Sequence, residues 1–440
     1  MLKPIDKEIF RIAVPAIVSN LTVPLLGLVD VAIAGHLGDA SYIGAIAVGG
    51  MLFNMIYWMF GFLRMGTGGL TAQAYGQDNP QESMRVLLRS LAVAGAMAAL
   101  LLALQYPIRL LAFTLIDASP EVREMATRYF HICIWGAPAI LASYSLTGWF
   151  IGMQNSRIPM YVAILQNVVN IAASLFFVSA LGMKVAGIAA GTLIAQYAGL
   201  LTACIFWWRK YGLLREHARK APLFEHTAMK RFFSINRDIF VRTACIVAVT
   251  VFFTSTGAAH GDIILAVNTL LMQLFTLFSY IMDGFAYAGE ALSGRYIGAA
   301  DRRKFLQTVR HLFIWGTGAA ALFTLLYAAG GENFLQLLTN DTAVIRASQE
   351  YFLWALTIPF AGFSAFLLDG ICIGATATRV MLHAVAAATA AFFALYYSLH
   401  ATFGNHSLWA AFLAYLFLRG SVQAWLACNS YRKGRLCPER

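Results

Sequence analysis

The chain has 440 residues, of which 60% are hydrophobic and only 12% are charged, and its mean hydropathy is +0.67. A soluble globular domain carries about 25% charged residues, so the composition excludes an ordinary soluble fold. The formal net charge of +11 does not indicate a nucleic-acid partner, because the basic residues lie in short loops between apolar runs. The composition predicts an all-α polytopic membrane protein embedded in a lipid bilayer.

Long apolar runs, separated by charged or Gly/Pro/Asn-rich breaks, predict twelve transmembrane helices. Each run supplies the roughly 20 residues that a helix needs to cross a bilayer. Met1–Arg11 is charged and leads directly into the first run, so we expect span 1 to be retained rather than cleaved. The predicted spans, in chain order, are 9–34, 43–74, 86–113, 124–150, 157–181, 185–208, 233–257, 262–294, 305–329, 344–373, 377–400 and 407–429.

The distribution of Lys and Arg predicts the orientation. An N-terminus on the inside places most of the 32 basic residues on the cytoplasmic side, as the positive-inside rule requires. Both termini are then cytoplasmic. The basic residues on the outer side are Arg109, Arg123, Arg128, Lys184 and Arg346, and Arg64 is interpreted as the one basic residue deep inside a span.

The cysteines and histidines give no sign of a reactive centre. The six cysteines show no CxxC or zinc-like spacing, and we interpret them as small packing residues. The nine histidines are scattered, and no HExxH motif, or GxSxG motif with partner residues, is found. The sequence predicts no metal site, no cofactor and no enzymatic activity.

An internal repeat divides the chain into halves. "GWFIGMQNSR" (Gly148–Arg157) and "GICIGATATR" (Gly370–Arg379) share Gly, Ile, Gly and Arg at identical spacing. The displacement that carries Gly148 onto Gly370, called the repeat offset below, also places Leu70 on Leu292 and Gly76 on Gly298. We predict an N-terminal six-helix lobe (1–208), a cytoplasmic linker (209–232) and a C-terminal six-helix lobe (233–440). Each copy has six spans, so a pseudo-two-fold along the membrane normal is expected, as in transporters that work by alternating access.

Four acids are predicted at membrane depth: Asp30 in span 1, Asp283 and Glu290 in span 8, and Asp369 in span 10. A charged side chain at the bilayer centre costs roughly 2.5–3.5 kcal/mol on insertion scales, so such residues usually face a cavity or a partner and carry function. An acid that exchanges a proton, or that pairs with a cation, is the minimum requirement for cation-coupled transport. Asp283, Glu290 and Asp369 are candidates for lining the substrate cavity.

Each acid also has a structural alternative. Asp30 lies towards the outer end of its span, where it could be a hydrated cap. Asp283 and Glu290 lie two helical turns apart on one face, where they could pair with Arg295 or Arg64. Asp369 precedes a glycine and could end a kinked helix.

Two prolines, Pro15 and Pro24, lie in span 1. A proline inside a helix removes one hydrogen bond and clashes with the preceding turn, so it kinks or hinges the helix. Pro24 precedes Asp30 by six residues, so protonation of the acid could be coupled to bending. The alternative is a packing kink, which membrane helices tolerate.

The motifs resemble a known family. "SNLTVPLLGLVDVAIAGHLG" at the start, followed by "MGTGGLTAQAYGQ" (Met65–Gln77), "NRDIFVR" (Asn236–Arg242), "MDGFAYAGEALSG" (Met282–Gly294) and "LLDGICIGATATR" (Leu367–Arg379), is similar to the multidrug and toxic compound extrusion (MATE) transporters, in particular their DinF-like branch. The similarity extends over nearly the whole chain. It implies cation-coupled export of hydrophobic, often cationic, organic compounds by a protein of the bacterial inner membrane, which we expect to be a monomer.

The resemblance also implies a cation- or proton-binding site in the N-terminal lobe. Asp30 matches the family's first-helix aspartate, and Asn170 matches the first residue of an Asn-x-x-x-Asp motif in span 5. Ser174 stands where that motif has its acid, and Thr192 matches a polar position of span 6. A lone carboxylate is a poor sodium ligand, because hard cations prefer several oxygens, but it suffices for a proton. We therefore favour proton over sodium coupling, with a lipid-linked or metabolite flippase of the same superfamily as the alternative.

Overall fold

The computed structural model describes residues 3–37, 40–115, 119–218, 225–339 and 341–434. This part of the chain contains helices and no strand. The helices are α1 (Pro4–Gly35), α2 (Ala40–Met59), α3 (Phe62–Gly76), α4 (Pro80–Ala103), α5 (Gln105–Leu115), α6 (Pro120–Cys133), α7 (Ala137–Gly152), α8 (Arg157–Ser179), α9 (Lys184–Tyr211), α10 (Arg215–Ala218), α11 (His226–Ala259), α12 (Asp262–Gly298), α13 (Arg302–Leu338), α14 (Thr342–Gly374), α15 (Thr378–Phe403) and α16 (Asn405–Arg432).

Twelve segments within the described residues are long and apolar enough to cross a bilayer, which confirms the predicted number. Two of them are interrupted: Ser41–Gly76 contains α2 and α3, and Pro120–Gly152 contains α6 and α7. The second interruption is a 3-10 turn, Ile134–Gly136, followed by Pro138 in the first turn of α7. Proline lacks the N–H that a continuing helix would use, so it suits a helix start.

Several helices extend beyond the predicted spans into polar residues. Predicted span 1 starts at residue 9, whereas α1 starts at Pro4 and includes the acid Asp6 in its first turn. Predicted span 4 starts at residue 124, whereas α6 starts at Pro120, and the Ser119 side chain accepts a hydrogen bond from the Val122 backbone N–H. Hydropathy marks the apolar part of a helix, whereas capping groups set its ends.

The backbone reproduces the repeat at the same offset along the chain. Asp78 and Ala300, which follow α3 and α12, both have φ of +55°. Gln154 and Thr376, which follow α7 and α14, have φ of +63° and +52°. Few non-glycine residues adopt positive φ, so these matched turns indicate duplicated structure rather than chance similarity of sequence.

The glycines of the repeated motif lie where two helices pack closely against each other. A Cβ atom added to Gly148 of α7 would collide with the carbonyl oxygen of Arg64 in α3, and one added to Gly370 of α14 would collide with that of Ala286 in α12. Both members of the first pair map onto the second pair at the repeat offset, so the same helix pairing is built in both halves.

Contacts divide the chain into two compact units. One unit is Val18–Phe233, and the other combines Met1–Ile17 with Ser234–Arg440. These bounds differ from the lobes predicted at 1–208 and 233–440, because α1 begins in the unit formed by the C-terminal half, and α11 begins in the unit formed by the N-terminal half. We call them the N-unit (Val18–Phe233) and the C-unit (Met1–Ile17 with Ser234–Arg440).

Candidate functional site

Three predicted residues meet in the N-unit. Asp30 of α1 is only 5% exposed, and its Oδ2 accepts a hydrogen bond from Thr192 Oγ1 of α9 at 3.5 Å. Asn170 of α8 is fully buried and donates from Nδ2 to Thr192 Oγ1 at 3.0 Å. The hydroxyl of Thr192 therefore connects Asn170 to the carboxylate of Asp30.

Ser174 completes the buried face of α8. It is fully buried one turn beyond Asn170, and a Cβ added to Gly191 of α9 would lie 2.7 Å from the Ser174 backbone nitrogen and collide with its Oγ. Glycine at position 191 lets α8 and α9 approach closely, which places Thr192 within reach of Asn170.

The polar atoms of the site are incompletely paired. Within the described residues, Asp30 Oδ1, Asn170 Oδ1 and Ser174 Oγ are buried and accept or donate no hydrogen bond. No ion pair to Asp30 is formed in this part of the chain. A buried carboxylate without a positive partner is costly in its charged form, so such an arrangement favours the uptake of a proton or a cation.

Sequence reasoning missed two neighbours of Asp30. Tyr129 and Cys133 of α6, 5% and 2% exposed, lie close enough to interact electrostatically with Asp30. Neither residue stands out in an apolar helix, so no signal in the sequence marks them as parts of this site.

In the C-unit, Asp369 of α14 forms ion pairs with two arginines. Arg242 of α11 and Arg419 of α16 both contact its Oδ2. The three residues are 5%, 6% and 4% exposed, in the order Asp369, Arg242, Arg419. The negative charge of Asp369 is therefore compensated inside the protein.

Two interpretations of these residues are wrong. Asp369 does not end a helix, because α14 continues to Gly374. Arg64 is not the one basic residue deep in a span, because Arg242 and Arg419 are buried within α11 and α16. The run "NRDIFVR" carried the missed signal, since its last residue, Arg242, lies in an otherwise apolar part of α11.

Asp283 and Glu290 occupy different environments on α12. Asp283 is half-buried and lies near enough to Arg419 for an electrostatic interaction. Glu290 is 1% exposed, in a turn where α12 lies directly against Gly374 of α14. Arg295, considered as a partner for either acid, lies 3.7 Å from Glu8. A role for Asp283, Glu290 and Asp369 in a substrate cavity remains a prediction.

Helix α1 is continuous through Pro15 and Pro24. Pro15 is buried and Pro24 is half-buried, and the boundary between the two units, after Ile17, falls between them. A kink or hinge at these prolines remains a prediction. The described residues include no group of three or more His, Cys, Asp or Glu side chains that could hold a metal ion.

The described residues contain twelve helices long and apolar enough to cross a membrane, together with a polar site buried in the N-unit, which is the architecture of a multi-pass membrane protein. The chain belongs to the MatE family, whose model matches residues 15–176 and 239–397. These matches fall in the two halves related by the repeat. Family members are efflux transporters of small organic compounds rather than enzymes.

Known relatives agree with this assignment. The chain is 39% identical to DNA damage-inducible protein F of Escherichia coli over 433 residues, which cover 98% of this chain and 93% of the relative. It is 26% identical to a probable multidrug resistance protein NorM of Acinetobacter baylyi over 371 residues, which cover 80% and 79% of the two chains.

Solved structures confirm the fold. A MATE transporter crystallised in a bent conformation superimposes with a TM-score of 0.84 at 17% identity, covering 99% of this chain and 97% of the other. A mutant MATE transporter from Vibrio cholerae also gives 0.84, at 16% identity and 98% coverage of both chains.

Proposed function

We propose that this protein is a proton-coupled antiporter, which exports hydrophobic and often cationic organic compounds across a bacterial inner membrane by alternating access. The observation that carries the proposal is the environment of Asp30. This acid is 5% exposed, receives one hydrogen bond, from Thr192, and forms no ion pair within the described residues. The proposal places both termini in the cytoplasm and takes the monomer as the working unit.

Each residue of the site has a distinct task in this mechanism. Asn170 donates to Thr192 Oγ1, which leaves the hydroxyl proton of Thr192 directed at Asp30 Oδ2. The other carboxylate oxygen, Oδ1, has no hydrogen-bond donor in the described part of the chain, and it is the atom that receives the proton. Ser174 adds a second hydroxyl on the same face of α8.

Proton and substrate compete through the charge of Asp30. Facing outwards, the acid takes up a proton, and the attraction for a cationic substrate is lost. Facing the cytoplasm, the acid releases that proton and attracts the next cation. The two ligands need not touch, provided that each favours a different bend of α1 at Pro24.

Sodium coupling is the first alternative. Sodium requires several oxygen ligands, and Ser174 stands where the family's motif provides a second carboxylate. Asp30, Asn170, Ser174 and Thr192 would supply only one charged ligand. We therefore favour the proton.

Export of an anionic or lipid-linked compound is the second alternative. The observation in its favour is the presence of Arg242 and Arg419 inside the C-unit. Both arginines are paired with Asp369, and a second acid, Asp283, interacts electrostatically with Arg419, so two acids accompany the two positive charges and neither arginine is free for a phosphate. Faster export of an anionic than of a matched cationic dye would reverse this preference.

The deciding experiment is dye efflux from proteoliposomes under separately imposed proton and sodium gradients. We expect efflux with the proton gradient alone, none from Asp30→Asn, and partial efflux from Asp30→Glu, which keeps a titratable group. Asp262→Asn, at an exposed position in the first turn of α12, is the matched control and should behave as wild type. Wild-type rates from Asp30→Asn under a proton gradient would overturn the proposal.

A further inference from the structure

The start of α1 carries a second buried acid, which the proposed transport cycle does not use. Asp6 is 6% exposed and lies among residues of the C-unit. Its Oδ1 accepts hydrogen bonds from His311 Nδ1 at 2.7 Å and from Trp315 Nε1 at 2.9 Å. Its Oδ2 accepts one from the backbone N–H of Lys3 at 3.0 Å.

His311 and Trp315 both bind this carboxylate through one of its oxygens. They lie four residues apart on α13, and side chains at that spacing share one helix face. Phe10, one turn after Asp6, packs edge-to-face on Trp315 with ring centroids 4.6 Å apart. Further along, Gly284 of α12 leaves room for α1, because an added Cβ would lie 2.9 Å from the Ala13 carbonyl oxygen.

The same helix carries Asp30 into the N-unit. The unit boundary crosses α1 after Ile17, and Asp30 follows Asp6 on this helix by 24 residues. A change of bend in α1 displaces Asp30 only if the start of the helix is held. If the start were free, the helix would rotate as a rod, and the protonation of Asp30 would not be transmitted to the C-unit.

The corresponding helix of the second half is held differently. α11 begins in the N-unit, where Arg231 donates to Gln73 at 2.9 Å. At the repeat offset, Ala228 stands in the place of Asp6. The acid–histidine contact therefore belongs to α1 alone among these two related helices, and it is α1 that carries the acid proposed to exchange protons.

We propose that Asp6, held by His311 and Trp315, is a positioning residue that fixes the start of α1. The inference rests on the proposed function for its role in transport, but the hold itself can be measured separately. Hydrogen bonds to a carboxylate are about twice as strong as those between neutral groups, so two side-chain donors on one oxygen give a firm hold.

Hydrogen–deuterium exchange of residues 4–17 in the full-length protein tests this hold. We expect these residues to exchange about five- to tenfold faster in Asp6→Asn, which replaces the carboxylate with a neutral amide, than in wild type. His311→Ala removes one of the two side-chain donors, so it should show a smaller increase. The start of α11 is the internal control and should not respond. Exchange of residues 4–17 in Asp6→Asn at the wild-type rate would overturn the proposal.

Transport measurements then test the positioning role. Asp6→Asn and His311→Ala should export fewer substrate molecules per proton than wild type, and Trp315→Phe, which removes the other side-chain donor, should show a loss similar to that of His311→Ala. Unchanged stoichiometry in both Asp6→Asn and His311→Ala would overturn the positioning role. If exchange responds as expected but Asp30→Asn transports normally, the proposed function fails while the hold on α1 survives.

Discussion

Asp30 of the N-unit and Asp369 of the C-unit are both buried, but their surroundings differ. Asp30 receives one hydroxyl donor, whereas Asp369 contacts two arginines, although both acids are 5% exposed. Burial alone therefore does not identify the acid that exchanges a proton. An acid without a positive partner gains most from protonation, whereas an acid between two guanidinium groups is held in its charged form.

The contrast between Asp30 and Asp369 indicates that the two halves of the duplicated fold have different functions. The halves share helix pairing, close-contact glycines and matched turns with positive φ. They differ in the charges placed on that common framework. In this account, the N-unit carries the exchangeable proton, and the ion pairs of the C-unit join α11, α14 and α16.

The largest effect is expected on breaking the ion pairs of the C-unit. Asp369→Ala leaves two buried arginines without a counter-charge, which costs about 3–5 kcal/mol for a buried pair that loses one partner. We expect little folded protein in the membrane and a strongly lowered thermal unfolding temperature in detergent. Asp262→Ala removes an acid from an exposed site and should have no such effect. If Asp369→Ala accumulates normally and changes the substrate range, the acid lines a cavity instead.

A smaller effect is expected on disturbing the α8–α9 contact beside Asp30. The Cβ of Gly191→Ala would lie 2.7 Å from the Ser174 backbone nitrogen, and such overpacking typically costs about 1–3 kcal/mol. Thermal unfolding should shift downwards and proton-driven efflux should fall, because Thr192 follows Gly191 directly. Gly95→Ala of α4, where an added Cβ meets nothing within 4 Å, is the control. Equal behaviour of the two variants would show that the close packing is irrelevant to the site.

The smallest effect is expected on removing the hydroxyl of Thr192, which connects Asn170 to Asp30. Thr192→Val is nearly isosteric and deletes the group between Asn170 and Asp30, at a cost of about 1 kcal/mol, or roughly fivefold in the efflux rate. Thr202→Val on the same helix removes a hydroxyl that donates to the Ala198 carbonyl of its own helix at 2.8 Å, and efflux should remain at the wild-type rate. Identical rates for both variants would exclude Thr192 from the mechanism.

The sequence predicted much of the N-unit site and little of the C-unit network. Asp30, Asn170 and Thr192 lie at positions that the family resemblance marks, and their helices bring them together as expected. The ion pairs of Asp369 join residues 127 and 50 positions away in the chain, and hydropathy does not show which helices pair. Arg242 closely follows the basic loop before α11, so the charge pattern along the chain does not distinguish it from the cytoplasmic basic residues.

The repeat could be predicted for a physical reason. It could not be predicted that the start of α1 belongs to the C-unit and the start of α11 to the N-unit. Gly148 and Gly370 stand at close helix contacts that admit no side chain, so their motif is visible in both halves. The placement of Asp6 against His311 and Trp315 depends on where the start of α1 packs. An amphipathic or apolar pattern does not specify the partner of a helix end.

Substrate-induced proton release tests the central claim most directly. A cationic substrate added to the purified protein in weakly buffered detergent solution should release a proton from wild type, because substrate and proton compete for the charge of Asp30. Asp30→Asn should bind without releasing a proton, and Asp262→Asn should release as wild type does. Undiminished release from folded Asp30→Asn would contradict the account and place the exchangeable proton on another acid, with Asp369 the first to examine.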